Sequence, residues 1–281
     1  MNEPRAKIAG VVGDPISHSL SPKLHGYWLK KYNIVGEYCA FHIGKNELAE
    51  FIAGLKPNNM EGVNLTVPHK ETALSLVDEL DASAIKIGAI NTVYFNDSGK
   101  MIGANTDGYG FLKHLKQSTQ KWVAENGPVT ILGSGGAARA VIVSLLDDGV
   151  PEVRLTNRTL ERAISLADEI DDARLKVISW NDREDALLNT ELLVNVTTLG
   201  MTGHPSLDLS LDKLPKHATV YDIVYNPLET DLLRRARIRG NETIDGLGML
   251  LHQAVPGFKA WFGVTPEVDE GLKSYMLEAL K

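Results

Sequence analysis

A glycine-rich segment in the middle of the chain restricts the fold more than any other stretch. The apolar run 129–132 ends at Gly133, and an apolar helical pattern starts near Ala140. Gly133, Gly135 and Ala138 match the dinucleotide-binding pattern G-x-G-x-x-A, in which the glycines permit a sharp turn and close approach of a pyrophosphate. The segment therefore predicts a Rossmann-type strand, turn and helix. Because such turns also occur as plain packing features, neighbouring residues must decide between the two interpretations.

The end of the next predicted strand, 152–156, favours NADP over NAD. An NAD-binding unit usually has Asp or Glu there to hold the ribose hydroxyls. This chain has Asn157 at that place, followed by Arg158 and, four positions later, Arg162. A carboxylate would repel a 2′-phosphate, whereas guanidinium groups attract it and can bind it bidentately, and a spacing of four places two residues on one helix face. The alternative is a solvated helix N-terminus that carries basic residues by chance.

Composition excludes several other classes of protein. A length of 281 residues suits one large domain or two of ordinary size, and the net charge of −7 argues against binding to nucleic acid or an anionic membrane. Cys39 is the only cysteine, so no intrachain disulfide or cysteine metal cluster can form, and the scattered histidines lack ligand spacing, so we expect no metal. Residues 1–5 show no signal-peptide pattern and no apolar run could span a bilayer; we therefore expect a cytoplasmic protein.

The order of predicted elements indicates an α/β fold with an inserted domain. Strands at 8–12, 38–43 and 62–67, with helices between them and a hairpin at 89–104, precede the glycine segment. Further strands at 175–178, 192–195 and 219–222 follow it, and two helices close the chain. We expect an N-terminal α/β substrate domain, an inserted Rossmann-type NADP-binding domain, and C-terminal helices that return to the first domain. The predicted boundaries are residues 1–106 with 246–281 for the first domain, and residues 107–245 for the second.

Polar side chains follow two of the early strands. Ser19 and Ser21 come after the first strand, where hydroxyls near a helix N-terminus suit a small carboxylate. Ser21 would also be a suitable N-cap, with Pro22 at the first helical position. Asn64 and Thr66 lie on one face of the third strand, which suggests contacts with ligand hydroxyls, although an exposed edge would look similar.

Lys70 is unfavourable for local structure. It falls in the first turn of a predicted helix, where its charge opposes the helix dipole, and such a conflict is a hint of function. A surface lysine is the alternative. Asn91 and Asp107 are candidate partners, but spacing alone does not bring them together, and Asp107 would equally suit a helix cap.

Several short motifs carry a resemblance to a known family. The residues are Gly-Asp-Pro-Ile-Ser-His-Ser-Leu-Ser-Pro at 13–22, Asn-Leu-Thr-Val-Pro-His-Lys at 64–70, Gly-Ala-Ile-Asn-Thr at 88–92, Asn-Thr-Asp-Gly at 105–108, Asn-Arg-Thr at 157–159 and Gly-Leu-Gly-Met-Leu at 246–250. In this order and spacing, they closely resemble the shikimate dehydrogenase family, over nearly the whole chain. The resemblance implies reversible, NADPH-dependent reduction of 3-dehydroshikimate to shikimate, an oxidoreductase step on a CH–OH group in the shikimate pathway of aromatic amino-acid biosynthesis.

The resemblance also assigns roles to residues. Ser19 and Ser21 would bind the substrate carboxylate, and Lys70 with Asp107 would form the catalytic pair. The ring hydroxyls would be held by Asn64, Thr66, Asn91, Asp107 and Gln253, and Tyr225 would lie near the carboxylate or the nicotinamide. Gly248 would approach the nicotinamide, and the implied NADP-binding residues are Gly133, Ser134, Gly135, Gly136, Ala137, Asn157, Arg158, Thr159, Arg162, Thr197, Ile223, Gly246 and Met249. We expect a small-molecule substrate and no nucleic-acid or membrane partner, and leave a homodimer open.

Three other functions compete with this interpretation. An NAD-dependent quinate/shikimate dehydrogenase would favour an acidic residue near Asn157. A glutamyl-tRNA reductase needs a nucleophilic cysteine, and Cys39 lies in an apolar strand. A non-catalytic NADP-binding sensor would need neither Lys70 nor Asp107, yet the chain has both.

We predict that Arg158→Ala weakens NADP selectively. A charge-assisted hydrogen bond contributes about 1.5–3 kcal/mol, so kcat/KM with NADP should fall roughly tenfold or more. NAD lacks the 2′-phosphate, so kcat/KM with NAD should stay almost unchanged. Steady-state kinetics with both cofactors on both proteins measures the effect. A wild type that prefers NAD, or a variant that loses both cofactors equally, would contradict the assignment.

Overall fold

The computed structural model of this chain describes residues 6–281, which form two compact units. One unit comprises residues 6–106 and 251–281, and the other comprises Asp107–Leu250. The expectation about a signal peptide concerns residues 1–5, which lie outside the described residues. None of the described helices is long and apolar enough to cross a membrane.

The described part of the first unit is built on a mixed six-stranded sheet in the order β2-β1-β3-β5-β6-β4. Its strands are β1 (Lys7–Gly13), β2 (Gly36–His42), β3 (Met60–Leu65), β4 (Glu79–Leu80), β5 (Thr92–Phe95) and β6 (Met101–Ala104). β1 pairs in parallel with β2 and β3, whereas β5 is antiparallel to both β3 and β6, so the predicted hairpin is present. The helices are α1 (Ser21–Lys31), α2 (Leu48–Ala53), α3 (Ala82–Ile87), residues 251–262 of α8 (Leu247–Phe262) and α9 (Glu270–Ala279).

Helix α8 is joined to this sheet by a buried tryptophan. Trp261 is almost fully buried, and its Nε1 donates a hydrogen bond of 2.9 Å to the carbonyl oxygen of Val93 in β5. A buried indole N–H needs such a partner, so this bond fixes the helix against the strand. The C-terminal helices therefore belong to the same unit as the N-terminal sheet.

The second unit has a parallel sheet in the order β12-β11-β10-β7-β8-β9. Its strands are β7 (Val129–Leu132), β8 (Val153–Thr156), β9 (Leu175–Ile178), β10 (Leu192–Asn195), β11 (Thr219–Asp222) and β12 (Glu242–Ile244). Its helices are α4 (Asp107–Ser118), α5 (Gly136–Asp147), α6 (Leu160–Ile170), α7 (Asp231–Arg239) and the start of α8, residues 247–250. Counted within the unit, the strands have the order 3-2-1-4-5-6 of the Rossmann fold, which confirms the predicted fold class. The order reverses between β7 and β10, where such sheets bind ligands.

The structure differs from the sequence-based prediction in the shorter elements. The segment Thr72–Leu76 is a 3₁₀ helix rather than an α-helix. The prediction missed β4, α3, α7 and β12. α3 has only six residues, although Asp81 accepts from the Ala84 N–H at its start and Gly88 ends it in the left-handed conformation. Its capping signals are therefore present, but its apolar pattern is too short to show a period.

Candidate functional site

The segment that contains Ser19 and Ser21, between β1 and the start of α1, contacts strand β2. α1 starts at Ser21, with Leu20 at the cap position and no capping side chain, so the prediction that Ser21 caps the helix is wrong. Ser19 Oγ instead accepts from the Ser21 N–H at 3.3 Å. The hydroxyl of Ser21 hydrogen-bonds to the phenol of Tyr38 in β2. Both serine hydroxyls thus lie beside the first turn of a helix, where backbone N–H groups favour an anion.

Asn64, at the end of β3, is held at both ends of its amide. Tyr38 Oη donates to Asn64 Oδ1 at 2.6 Å, and Asn64 Nδ2 donates to the carbonyl oxygen of Asn91 and to Thr92 Oγ1, both at 3.0 Å. Burial raises the pKa of the Tyr38 phenol well above its ordinary value, while the Ser21 hydrogen bond acts in the opposite direction. The phenol therefore stays neutral and keeps its proton for Asn64.

Asn91 joins three segments of the first unit. Its Oδ1 accepts from the Thr106 N–H at 2.8 Å, and its Nδ2 donates to Thr106 Oγ1 at 3.0 Å. The same Nδ2 lies 3.5 Å from Oε1 of Gln253 in α8. The structure thus brings together the predicted residues Asn64, Asn91 and Gln253. The sequence analysis did not identify Thr106, or Thr92, which follows Asn91 in the chain, as part of this network. Both residues nevertheless lie within motifs that it singled out.

Lys70 is fixed through its backbone. It lies in a turn after β3, two residues before the 3₁₀ helix, so the argument from a helix dipole is wrong. Its carbonyl oxygen accepts from the Ile90 N–H at 2.8 Å, which holds the Lys70 peptide next to Asn91. The half-buried Thr66, on the same segment, donates its N–H to the Val12 carbonyl oxygen at 2.9 Å.

Asp107 is the buried first residue of α4. It follows Thr106 directly in the chain and belongs to the second unit, whereas Lys70 belongs to the first. The catalytic pairing of Lys70 with Asp107 therefore stays a prediction. Among residues 6–281, no group of three or more His, Cys, Asp or Glu side chains could hold a metal ion.

The glycine turn has the form expected of a dinucleotide site. Gly133 has a φ of +108°, and a Cβ there would lie 2.7 Å from Thr197 Cγ2, so the fold itself requires glycine. α5 begins at Gly136, after Gly135 at the cap position with no capping side chain. A Cβ at Gly135 or Gly136 would meet no atom within 4 Å. The first N–H groups of α5 therefore lie next to two glycines, Gly135 and Gly136, and this arrangement fits a pyrophosphate.

The basic segment after β8 differs from the prediction in one respect. α6 starts at Leu160, so Arg158 lies two residues before the helix and does not share a helix face with Arg162. Both arginines are exposed. Asn157 Nδ2 donates to the Thr159 carbonyl oxygen at 2.7 Å, which shapes the loop between them. Two exposed guanidinium groups flank the N-terminus of α6, and they suit an anionic ligand.

A buried carboxylate that the sequence did not reveal connects the ends of β10 and β11. Asp222 accepts from Asn195 Nδ2 at 3.0 Å, from Thr230 Oγ1 at 2.7 Å and from the Val224 N–H at 3.1 Å. Asn195 Oδ1 in turn accepts from Thr197 Oγ1 at 2.7 Å. Burial raises the pKa of Asp222 to about 6, although these hydrogen bonds act against the shift. The network fixes the loop that carries Thr197, one of the predicted cofactor residues.

The other predicted residues of the second unit lie around the loop after β11. The N–H of Gly246 donates to the Val224 carbonyl oxygen, and a Cβ at Gly246 would lie 1.9 Å from the Ile223 carbonyl oxygen. Tyr225 is half-buried, and burial raises the pKa of its phenol. Met249 is buried in the core of this unit. Ser134, in the glycine turn, and Ala137, in the first turn of α5, are half-buried. Thr159 precedes α6, and Gly248 packs against the His114 ring.

Comparison with known proteins identifies the family. Three family models match the chain: the shikimate dehydrogenase substrate binding domain at residues 11–93, shikimate / quinate 5-dehydrogenase at 114–202, and the shikimate 5′-dehydrogenase C-terminal domain at 246–281. The shikimate dehydrogenase (NADP(+)) of Paramagnetospirillum magneticum is 50% identical over 273 residues, covering 97% of this chain and 99% of that protein. The chain belongs to the shikimate dehydrogenase family.

Solved structures of the family place this chain among enzymes with different cofactors. The Thermus thermophilus shikimate 5-dehydrogenase, in complex with NADP(H) and shikimate, has a TM-score of 0.85 and 34% identity, covering 97% of this chain and 99% of that one. The quinate dehydrogenase of Corynebacterium glutamicum, in complex with NAD, has a TM-score of 0.90 and 29% identity, covering 97% and 99%. The shared fold does not distinguish NADP from NAD, and the role of the residues after β8 in that choice stays a prediction.

We predict that Asp222 makes stability depend on pH. The folded protein keeps the Asp222 proton up to a pH of about 6, whereas the unfolded chain loses it near 3.8. Raising the pH from about 4 to about 7 should therefore lower the contribution of Asp222 to the free energy of unfolding, by roughly 2–3 kcal/mol, with little further loss from this group above that range. The Asp222→Asn variant has no carboxyl group at this position to titrate. The thermal unfolding midpoint of the variant should therefore rise relative to that of the wild type as the pH increases.

Asp212→Asn is the matched control, because Asp212 is an exposed carboxylate of the same unit. Its midpoint should follow that of the wild type between pH 4 and 7. If Asp222→Asn also runs parallel to the wild type over this range, Asp222 does not titrate as described.

Proposed function

We propose that this protein is an NADP-dependent shikimate dehydrogenase that reversibly reduces 3-dehydroshikimate to shikimate. The observation that carries the proposal is the buried amide network of the first unit. It groups Asn64, Asn91 and Gln253, and the backbone hydrogen bond from Ile90 holds the Lys70 peptide beside Asn91. A polyhydroxylated ring acid needs this combination of fixed amides for its hydroxyls and a cationic group for a reacting oxygen.

The substrate is oriented by side chains that donate hydrogen bonds and by side chains that accept them. The hydroxyls of Ser19 and Ser21, beside the first turn of α1, bind the carboxylate. The amides of Asn64, Asn91 and Gln253 bind ring hydroxyls, together with Thr66 and Asp107, and Tyr225 contacts the carboxylate or the nicotinamide. Fixed donors and acceptors discriminate strongly against an analogue that lacks a hydroxyl, because a buried group of the site is then left without a partner.

Lys70 is the proton donor and acceptor at the reacting oxygen. When bound, NADPH supplies the hydride for the substrate ketone. The Lys70 ammonium stabilises the negative charge that develops on the ketone oxygen and donates a proton to it, and in the reverse direction the amine accepts that proton. Asp107 acts with Lys70 as its carboxylate partner.

NADP binds to the second unit. The N–H groups at the glycine turn hold the pyrophosphate, and Arg158 and Arg162 hold the 2′-phosphate. We assign residues 107–245 to NADP binding, and residues 1–106 with 246–281 to substrate binding and catalysis. The other residues of the cofactor site are Gly133, Ser134, Gly135, Gly136, Ala137, Asn157, Thr159, Thr197, Ile223, Gly246 and Met249.

An assay of the purified protein tests the proposal. Shikimate with NADP should produce the absorbance of the reduced cofactor, and quinate with NAD should produce much less. A protein that binds NADP without turnover would instead be the non-catalytic sensor.

The homodimer and the cytoplasmic location stay predictions, which light scattering and cell fractionation would test.

We predict that Lys70→Ala lowers kcat by roughly 10²- to 10⁴-fold, the usual contribution of general acid–base catalysis. The KM for shikimate should change much less, because other groups bind the ring. Lys56→Ala is the control, since Lys56 is an exposed lysine of the same unit whose Nζ donates to the Gly99 carbonyl oxygen at 3.1 Å. Near-normal turnover in Lys70→Ala would refute the assignment.

A further inference from the structure

One buried hydroxyl connects the two asparagines of the amide network. Thr92 is the first residue of β5, and the antiparallel register places it opposite Asn64 of β3. Its Oγ1 accepts from Asn64 Nδ2 at 3.0 Å and donates to Asn91 Oδ1 at 3.0 Å. The side chain is 2% exposed, so solvent does not replace either bond.

The hydrogen bonds determine which way each amide points. Asn64 Nδ2 uses its hydrogens on Thr92 Oγ1 and on the Asn91 carbonyl oxygen, which leaves the oxygen end of the amide toward Tyr38. Asn91 Oδ1 accepts from the Thr92 hydroxyl and the Thr106 N–H, so its nitrogen end is directed toward Thr106 Oγ1, at 3.0 Å, and toward Gln253. A hydroxyl has a single hydrogen, and the bond from Asn64 makes Thr92 an acceptor there and a donor to Asn91.

We propose that Thr92 is a positioning residue. It determines whether Asn64 and Asn91 present an amide oxygen or an amide N–H to the substrate. The inference rests on the proposed function. With Thr92 in place, Asn64 offers an acceptor to a substrate hydroxyl, and Asn91 offers a substrate oxygen the one Nδ2 hydrogen that faces Gln253, since the other is bonded to Thr106 Oγ1. Without its hydroxyl, each amide loses one of the bonds that oppose a 180° rotation, and a rotated amide would present the wrong polarity to the ring.

Two substitutions separate the hydroxyl from the shape of the side chain. Thr92→Val keeps the branched shape and removes both hydrogen bonds, and we expect kcat/KM for shikimate to fall roughly 10- to 100-fold, mainly through KM. The KM for NADP should stay within about twofold of the wild type, because no bond to the cofactor is removed. Thr92→Ser restores the hydroxyl and should recover kcat/KM to within about threefold of the wild type.

Thr130→Val is the matched control for stability. Thr130 is a fully buried strand threonine of the second unit, whose Oγ1 bonds to the Ala186 carbonyl oxygen and to Thr190 Oγ1, both at 2.7 Å. Its loss should lower the thermal unfolding midpoint as Thr92→Val does, yet leave the KM for shikimate unchanged.

A double-mutant cycle with Asn91 tests whether Thr92 acts through the amides. In an Asn91→Ala background, Thr92→Val should cost much less in kcat/KM than it costs in the wild type, because one of the two amides that it orients is gone. Equal costs in both backgrounds would show that Thr92 does not act through Asn91 and would overturn the inference.

The remaining outcomes also decide between the inference and the function it rests on. An active wild type in which Thr92→Val loses only thermal stability, or in which Thr92→Ser is as impaired as Thr92→Val, overturns the role of Thr92 alone. A folded wild type that does not oxidise shikimate with NADP overturns the proposed function, and the inference with it.

Discussion

Buried side-chain amides at the ends of strands hold the loops of both units in place. Asn64 in the first unit connects β3 to the segment before β5, and Asn195 in the second connects β10 to Asp222 and Thr197. Leaving a buried donor or acceptor without a partner costs about 1–3 kcal/mol, so each network is maintained by the cost of breaking it. The predicted ligand groups beside these amides are therefore positioned before any ligand binds.

The predicted substrate site and the predicted 2′-phosphate site recognise their ligands through different interactions. Asn64 and Asn91 are 6% and 2% exposed and have fixed partners, so they can select a ligand by the position of its hydroxyls. Arg158 and Arg162 are exposed, and an exposed guanidinium contributes charge over a range of orientations. A neutral ring hydroxyl must be recognised by geometry, whereas a 2′-phosphate can be recognised largely by its charge.

The sequence predicted elements whose pattern is local, and missed contacts that depend on strand pairing. The apolar runs of β10 and β11 end at polar residues, and both strands were predicted with the bounds they have. α7 was missed because four arginines within nine residues hide its short apolar stripe. The roles of Tyr38 and Thr92 follow from the register of β2 and β5 against their neighbours, which no single-sequence pattern specifies.

The glycine turn shows why a motif can be weak evidence as a pattern and stronger evidence as a structure. Gly133 is required by its φ of +108° and by Thr197, so a turn that served packing alone would also need it. Gly135 has a φ of −81°, and a Cβ there would meet no atom within 4 Å, so neither the backbone nor the packing requires glycine. A helix start would gain from a capping side chain at that position, because Ser, Thr, Asp or Asn stabilises it over glycine, by roughly a few tenths of a kcal/mol. A glycine there leaves the first N–H groups of α5 open to a ligand, which favours dinucleotide binding over plain packing.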